Sequence, residues 1–381
     1  MNVTGIITEY NPFHNGHLYH LSEAKKSNNA DAIICVMSGN FVQRGGPAII
    51  DKWQRTEMAL NNGVDLIVEL PTYYAVSSAE FFAKGAVSIL HHLGVVNNLF
   101  FGSECGNVDK LTKISKTLVN EDSKLKSLIK EHLSKGDTFA KAREKSLIEY
   151  LKDEDINKII TSSNNILGIE YIKSILRLNS NITPSTLKRE GSNYNDKNLS
   201  NSFSSATAIR ELIKNKNSLE KLKNIIPEES FKIFSKLQDE NYPFVFDEDI
   251  FKFIKYKIQT NCINFNNLYE ITEGLENKLI KEIASSNSYE DFILKVKSKR
   301  YTYSKISRIL THIYIGLDSN NFLNINDPNN LYARVLGFNK TGREVLSLIK
   351  TNSSIPLITK VPRFIDNPLL KLDIQATAAY S

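Results

Sequence analysis

Four short apolar runs, each followed by a stretch long enough for a helix, constrain this chain more than any other feature. Val3, Ile6 and Ile7 lie in the first, and residues 31–37, 65–70 and 98–101 form the others. A strand covered on both faces reads as a continuous apolar run, whereas a strand with one wet face alternates. Such runs separated by helices are the pattern of βαβ units, whose right-handed crossovers build a parallel sheet. Helices are expected at 52–62, with Trp53, Met58 and Leu60 toward the core, and at 77–93, where Ala79, Phe82, Ala83, Ala86 and Ile89 recur at helical spacing. Residues 183–188 make a fifth strand, ending at Arg189. The predicted fold class is α/β, a Rossmann-like parallel sheet that takes a nucleotide beyond the carboxyl ends of its strands.

The first strand breaks at Tyr10-Asn11-Pro12, a turn signal, and Gly16 lets the backbone approach whatever covers the next helix start. A helix opening there aims unpaired amides and the positive end of its dipole at one spot, which favours an anion such as a phosphate. His14 and His17, one turn apart, face that spot. Imidazoles donate hydrogen bonds to phosphate oxygens and, when protonated, offset charge growing on a leaving pyrophosphate. Taken alone, a His-x-x-His pair is equally a chance pair or half of a metal site, so the surroundings decide.

Other loops fall at the same end of the predicted sheet. Residues 38–47 carry Gly39, Gly45 and Gly46 with Gln43 and Arg44, and serve either as a ligand loop or as a solvated connection. Gly102-Ser103-Glu104 follows the fourth strand, where a glycine lets a flat base or ribose lie against the backbone. Asn164 opens an apolar helix whose first turn should present free amides. Ser204-Ser205-Ala206-Thr207-Ala208-Ile209-Arg210 packs hydroxyls and a guanidinium into one helical turn, an arrangement suited to phosphate oxygens.

Composition narrows the partners. At 381 residues the chain can hold a large core and a second domain, and its net charge of +6 with pI near 8.9 suits a polyanionic partner. Three cysteines, Cys35, Cys105 and Cys262, have no paired ligand spacing, so neither a disulfide framework nor a zinc site is expected. No metal ligands are assigned, because no carboxylate cluster marks a cage. There is no leader-like start and no apolar run of membrane length, so a cytoplasmic protein without membrane contact is expected.

Residues 107–160 read as a lysine-rich helical insertion, with a helix cap at Asp137 or Thr138 and with Lys135, Lys141, Arg143 and Lys145 on a solvated face. Near residue 220 the composition shifts, which divides the chain into a nucleotide-binding domain at 1–219 and a mainly helical, basic domain at 220–381. Its densest basic stretch, residues 295–308, interleaves Lys295, Lys297, Lys299, Arg300, Lys305 and Arg308 with Tyr301 and Tyr303. Cations with aromatic rings between them bind single-stranded RNA, and Lys299, Arg300, Tyr301 and Arg308 are the candidate contacts. Residues 331–338 suggest a short strand or turn, and residues 366–379 a closing helix.

The string Glu-Tyr-Asn-Pro-Phe-His-Asn-Gly-His resembles the bacterial tRNA(Met) cytidine acetate ligases, a family of the HIGH-type nucleotidyltransferase superfamily. The 37–47 loop, Gly102-Ser103-Glu104, Asn164, Arg189 and residues 204–210 follow in the order expected of that family. The resemblance implies an ATP-dependent ligase. It would activate acetate as acetyl-adenylate, release pyrophosphate and acetylate the wobble cytidine of elongator tRNA(Met), with magnesium accompanying ATP. By the same resemblance ATP would contact Ile7, Thr8, Glu9, Tyr10, Asn11, Pro12, Phe13, His14, Asn15, Gly16, His17, Leu18, Tyr19 and His20, together with Gly102, Asn164 and Arg189. His14, His17 and Arg210 would act on the reacting phosphate. The second motif carries an extra alanine before its threonine, so either Ser205 or Thr207 holds the phosphate-facing role. The alternatives are an adenylyltransferase acting on a small phosphorylated cofactor precursor and a non-catalytic nucleotide- or RNA-binding protein.

Overall fold

The computed structural model describes residues 1–137, 139–153, 155–189, 205–215, 219–271, 274–319 and 322–381. The chain runs β1 (Val3–Thr8), α1 (Asn15–Ser27), β2 (Ala32–Ser38), α2 (Lys52–Asn61), β3 (Leu66–Leu70), α3 (Thr72–Ala75), α4 (Ala79–His92) and β4 (Asn98–Ser103). Four insertion helices follow, α5 (Val108–Val119), α6 (Ser123–Ser134), α7 (Phe139–Leu151) and α8 (Ile156–Thr161), then α9 (Ser163–Arg177), β5 (Thr183–Lys188) and α10 (Ala206–Lys214). The remainder comprises α11 (Glu228–Asp239), α12 (Asp247–Gln259), α13 (Leu275–Ile283), α14 (Tyr289–Val296), α15 (Tyr303–Ile315), β6 (Ala333–Phe338), α16 (Lys340–Asn352), β7 (Leu357–Ile358) and α17 (Pro368–Tyr380).

The strands form one sheet in the order β5-β4-β1-β2-β3-β6-β7. β1 to β5 are mutually parallel, and β1 to β4, mostly buried, have the apolar runs of strands covered on both faces, whereas β5 at the sheet edge is partly exposed. Strand order reverses about β1, with β2 on one side and β4 on the other, and a crevice opens at such a switch point. On one face Ile6, Ile33, Cys35, Met37 and Ile67 pack against Leu21 of α1, Met58 of α2 and Leu212 of α10. On the other, Ile34, Val36, Val68 and Leu99 meet Phe82 of α4, Ile172 of α9 and Leu372 of α17. α12 to α15 enclose a third core around Ile254, Phe292 and Ile309.

Two expectations change. The division at residue 220 would assign β6 and β7 to a second domain, yet β6 lies antiparallel to β3 and β7 pairs with β6. Residues 333–358 therefore complete the first sheet, and the helices with a core of their own are α12 to α15. Trp53, placed in the core by helical spacing, is 45% exposed, while its neighbours Lys52 and Arg55 are buried. The inversion has a cause in partners distant along the chain. Lys52 Nζ lies 2.6 Å from Glu69 of β3, and Arg55 donates to the carbonyls of Glu9, Ser38, Gly39 and Ile50. A buried charge persists only when it is paired in this way.

Of the insertion cap residues, Thr138 lies outside the described residues, and Asp137 accepts from Lys145 at 2.6 Å. Lys135 pairs with Glu131, so those two lysines belong to surface ion pairs, as a solvated face requires.

Candidate active site

The turn after β1 builds one wall of a cleft of about 470 Å³ at the switch point. His14 caps α1, its Nδ1 accepting from the Gly16 amide at 3.1 Å, and His17 Nδ1 accepts from the His14 amide at 3.3 Å. The two rings stack with centroids 3.7 Å apart. An imidazole nitrogen that accepts from an amide carries no proton, so the His14 proton sits on Nε2 and can be donated to a ligand. The first-turn amides expected to be free are already used, Gly16 by His14 and Asn15 by the Ile225 carbonyl at 3.2 Å. Anion binding at this helix start therefore falls to the side chains.

The electrostatics agree. Burial, then the charges of Arg189 and Arg210, push His14 down to about 3, and burial followed by His14 and Arg189 holds His17 well below the ordinary imidazole value. His20 is lowered to about 4, again chiefly by burial and then by Arg189. The pair is neutral near pH 7, and the positive charge nearest it comes from Arg189 and Arg210.

α10 supplies the opposite wall. Ser205 caps it, accepting from the Ala208 amide at 3.1 Å, and lines the cleft. Arg210 donates from Nη1 to the Asn11 carbonyl at 2.7 Å and from Nη2 to the Thr207 hydroxyl at 3.0 Å. Of the two candidate hydroxyls, Ser205 faces the cleft and Thr207 holds the guanidinium. Residues 190–204, including the rest of the serine-rich loop, lie outside the described residues.

Within the 7–20 run, ten residues line the cleft: Ile7, Thr8, Glu9, Tyr10, Asn11, His14, Gly16, His17, Tyr19 and His20. Pro12, Phe13, Asn15 and Leu18 do not. Phe13 is fully buried beside Tyr10 at 4.7 Å, Asn15 bonds to the Asn224 carbonyl, and Leu18 packs on the core under α1. Gly102, Asn164 and Arg189 line the same cleft. A Cβ on Gly102 would stand 3.3 Å from Arg189 Cγ, so the glycine accommodates the arginine stem as well as any ligand. The amides expected to be free at the start of α9 are taken by Glu104. Phe82, Phe101 and Tyr171 add an apolar wall that sequence reasoning assigned only to core or strand, and Lys188 adds a cation signalled only by its place beside Arg189.

The 38–47 loop crosses the cleft and ties it to the helical bundle. Glu9 Oε1 accepts from the Gln43 amide at 2.7 Å, and the Gly46 amide donates to Thr311 of α15 at 2.7 Å. At φ +96° a Cβ on Gly46 would overlap Asp247, and one on Gly45 would overlap the α15 backbone at Ser307. Ser304, in the first turn of α15, reaches the cleft itself.

The basic stretch divides. Lys299 and Arg300 are exposed in the turn before α15. Tyr301 is buried in the helical core under Lys305, and Arg308 is buried with its guanidinium on Glu270 at 3.4 Å. Tyr301 and Arg308 are thus corrected to interior residues, because Tyr301 packs into the helical core just before α15 and Arg308, within α15, turns onto Glu270, and Tyr303 is the tyrosine of this stretch that stays exposed.

The family described as HIGH Nucleotidyl Transferase matches residues 1–381. Over 383 residues the chain is 50% identical to the tRNA(Met) cytidine acetate ligase of Clostridium novyi (strain NT), covering 100% of this chain and 95% of that protein. It is 48% identical to the ligase of the same name from Clostridium tetani (strain Massachusetts / E88), with 100% and 95% covered. The fold matches the crystal structure of Thermotoga maritima TmcAL (apo, form I) with a TM-score of 0.92 at 37% identity, covering 100% of this chain and 94% of that one. The TmcAL structure bound with alpha-thio ATP matches with a TM-score of 0.89.

Proposed function

Because the chain belongs to the HIGH nucleotidyl transferases and, among them, to the tRNA(Met) cytidine acetate ligases, we propose that its cleft activates acetate with ATP and acetylates the exocyclic amine of the wobble cytidine in elongator tRNA(Met). A carboxylate oxygen of acetate attacks the α-phosphorus of ATP and pyrophosphate departs, giving acetyl-adenylate. The cytidine amine then attacks the acetyl carbonyl, AMP leaves, and the amine loses a proton. Full-length likeness to ligases of tRNA supports this reading over a small-molecule adenylyltransferase or a non-catalytic binding protein.

The observation that carries it is the convergence on one cleft of the stacked His14 and His17 rings, Arg210 held by Asn11 and Thr207, and Arg189 over Gly102. As the bond from the α-phosphorus to the bridging oxygen breaks, negative charge builds on that oxygen and the departing pyrophosphate, and fixed donors stabilise it without reorganisation. Neutral His14 donates from Nε2, while the arginines supply the charge. Ser205 adds a hydroxyl. No covalent nucleophile is needed, since positioning and charge stabilisation suffice for adenylate formation.

Magnesium would be held by the phosphate oxygens. Among the described residues no group of three His, Cys, Asp or Glu side chains could hold a metal ion, so no step is assigned to one. Residues 1–219 together with the returning β6 to α17 segment form the catalytic body, and α12 to α15 with Lys299 and Arg300 face the tRNA. No helix among the described residues is long and apolar enough to cross a membrane, and a substrate tRNA makes the cytoplasm the expected compartment. The test is mass analysis of nucleosides from tRNA(Met) incubated with the protein, ATP and acetate. Acetylcytidine is expected, and its absence alongside intact ATP would overturn the proposal.

A further inference from the structure

Glu104 lies just beyond β4 and spends its whole carboxylate on the start of α9. Its Oε1 accepts from the Asn164 amide at 3.1 Å and from Asn164 Nδ2 at 2.8 Å, while Oε2 accepts from the Asn165 amide at 2.8 Å. Asn165 returns the contact, its Oδ1 accepting from the Cys105 amide at 3.1 Å. No residue at the N-cap of α9 bonds the first-turn amides through its side chain, so Glu104, some 60 residues distant, does what a cap would do.

Two consequences follow for the cleft, which Asn164 lines beside Gly102. A carboxylate only accepts, so the atom of Asn164 facing Glu104 must be the NH₂. The side-chain amide cannot flip, and the polar atom it can offer a ligand is Oδ1, an acceptor. The negative charge of Glu104 also offsets the positive end of the α9 dipole, so this helix start is not itself an anion site. With the triphosphate held by His14, His17 and Arg210, the nucleoside falls to Gly102 and Asn164.

We propose that Glu104 is a positioning residue for ATP selection: it locks Asn164 with Oδ1 toward the nucleoside, where it accepts from a ribose hydroxyl or from the adenine amine. The inference rests on the reading of this cleft as the ATP site. A neutral hydrogen bond changes affinity by roughly 3- to 10-fold.

Calorimetric binding of ATP, 2′-deoxy-ATP, 3′-deoxy-ATP and the purine riboside triphosphate lacking the 6-amino group tests it, on the full chain without acetate or tRNA. The wild type should prefer ATP over one of these analogues by roughly 3- to 10-fold. Glu104→Ala should bind ATP more weakly and lose that one preference, as should Asn164→Ala. Glu104→Gln, which can keep both Oε1 contacts, should retain it. A Glu104→Ala protein that keeps the preference overturns the proposal. Should that variant not fold, an Asn164→Ala protein that keeps the preference overturns it equally. Failure of the wild type to bind any nucleotide would instead overturn the assignment of the cleft, and unselective binding of all four overturns only the role of Glu104.

Discussion

Acidification is expected to destabilise this fold through the histidines of its cleft. His14 is held at about 3, His20 at about 4, and His17 well below the ordinary 6.5, in each case first by burial and then by neighbouring positive charge. In the unfolded chain all three titrate near 6.5. Between the folded and unfolded values the unfolded state binds more protons, so the contribution is full above the unfolded value and is lost as pH falls toward the folded one. Between about pH 7.5 and about pH 5.5 a histidine whose folded value lies below that window loses on the order of 1 kcal/mol of stabilisation, and the three interacting histidines together lose a few kcal/mol. Urea unfolding followed by circular dichroism at those two pH values measures the loss. His14→Asn is the informative variant, because its Oδ1 can still accept from the Gly16 amide while nothing titrates, and it should shrink the loss by on the order of 1 kcal/mol. If His14→Asn loses as much stability on acidification as the wild type, His14 titrates normally in the folded protein, and its role as a neutral donor fails with it.

His17→Ala should leave the fold intact and reduce acetate-dependent pyrophosphate release by ~10²–10³, the usual cost of one transition-state donor, and near-normal release would remove His17 from the chemistry. Combined Lys299→Ala and Arg300→Ala should weaken tRNA binding and reduce the slope of log affinity against log salt by about 1.4–1.8, with acetate activation unchanged; an unaltered slope would mean that these cations do not meet phosphate. Arg308→Ala, by contrast, should lower the melting temperature and leave the salt slope alone, since its guanidinium lies on Glu270 inside the helical bundle. Gly46→Ala forces a side chain toward Asp247 at a left-handed backbone angle, and should cost ~1–3 kcal/mol while raising the KM for ATP through the loop that carries Gln43 and Arg44. A melting curve and KM matching the wild type would show that the loop gives way at no cost.

What could be read from the sequence is what depends on neighbours along the chain. β1 to β4 were legible because a strand covered on both faces has to be apolar throughout, and the starts of α1 and α10 because caps and turn residues act within a few positions. β6 was harder, since Ala333 to Phe338 is a mixed, partly exposed segment whose partner β3 lies more than 260 residues earlier, at Glu69 opposite Arg334. Long-range partners also explain the errors over single side chains. Apolar spacing favours Trp53 as the buried residue of α2, and only the presence of Glu69 and several outward-facing carbonyls makes Lys52 and Arg55 the better choice for the interior. Tyr301 and Arg308 look like surface groups because their neighbours are lysines, yet Tyr301, just before α15, packs into the core that α12 to α15 enclose, and Arg308 turns onto Glu270. The same reasoning separates the two helix starts of the cleft. At α10 the cap and the guanidinium both lie within residues 205–210, so the motif was visible. At α9 the capping group is Glu104, beyond another strand, and the free amides that local sequence promised are consumed by a charge that only the sheet brings to them.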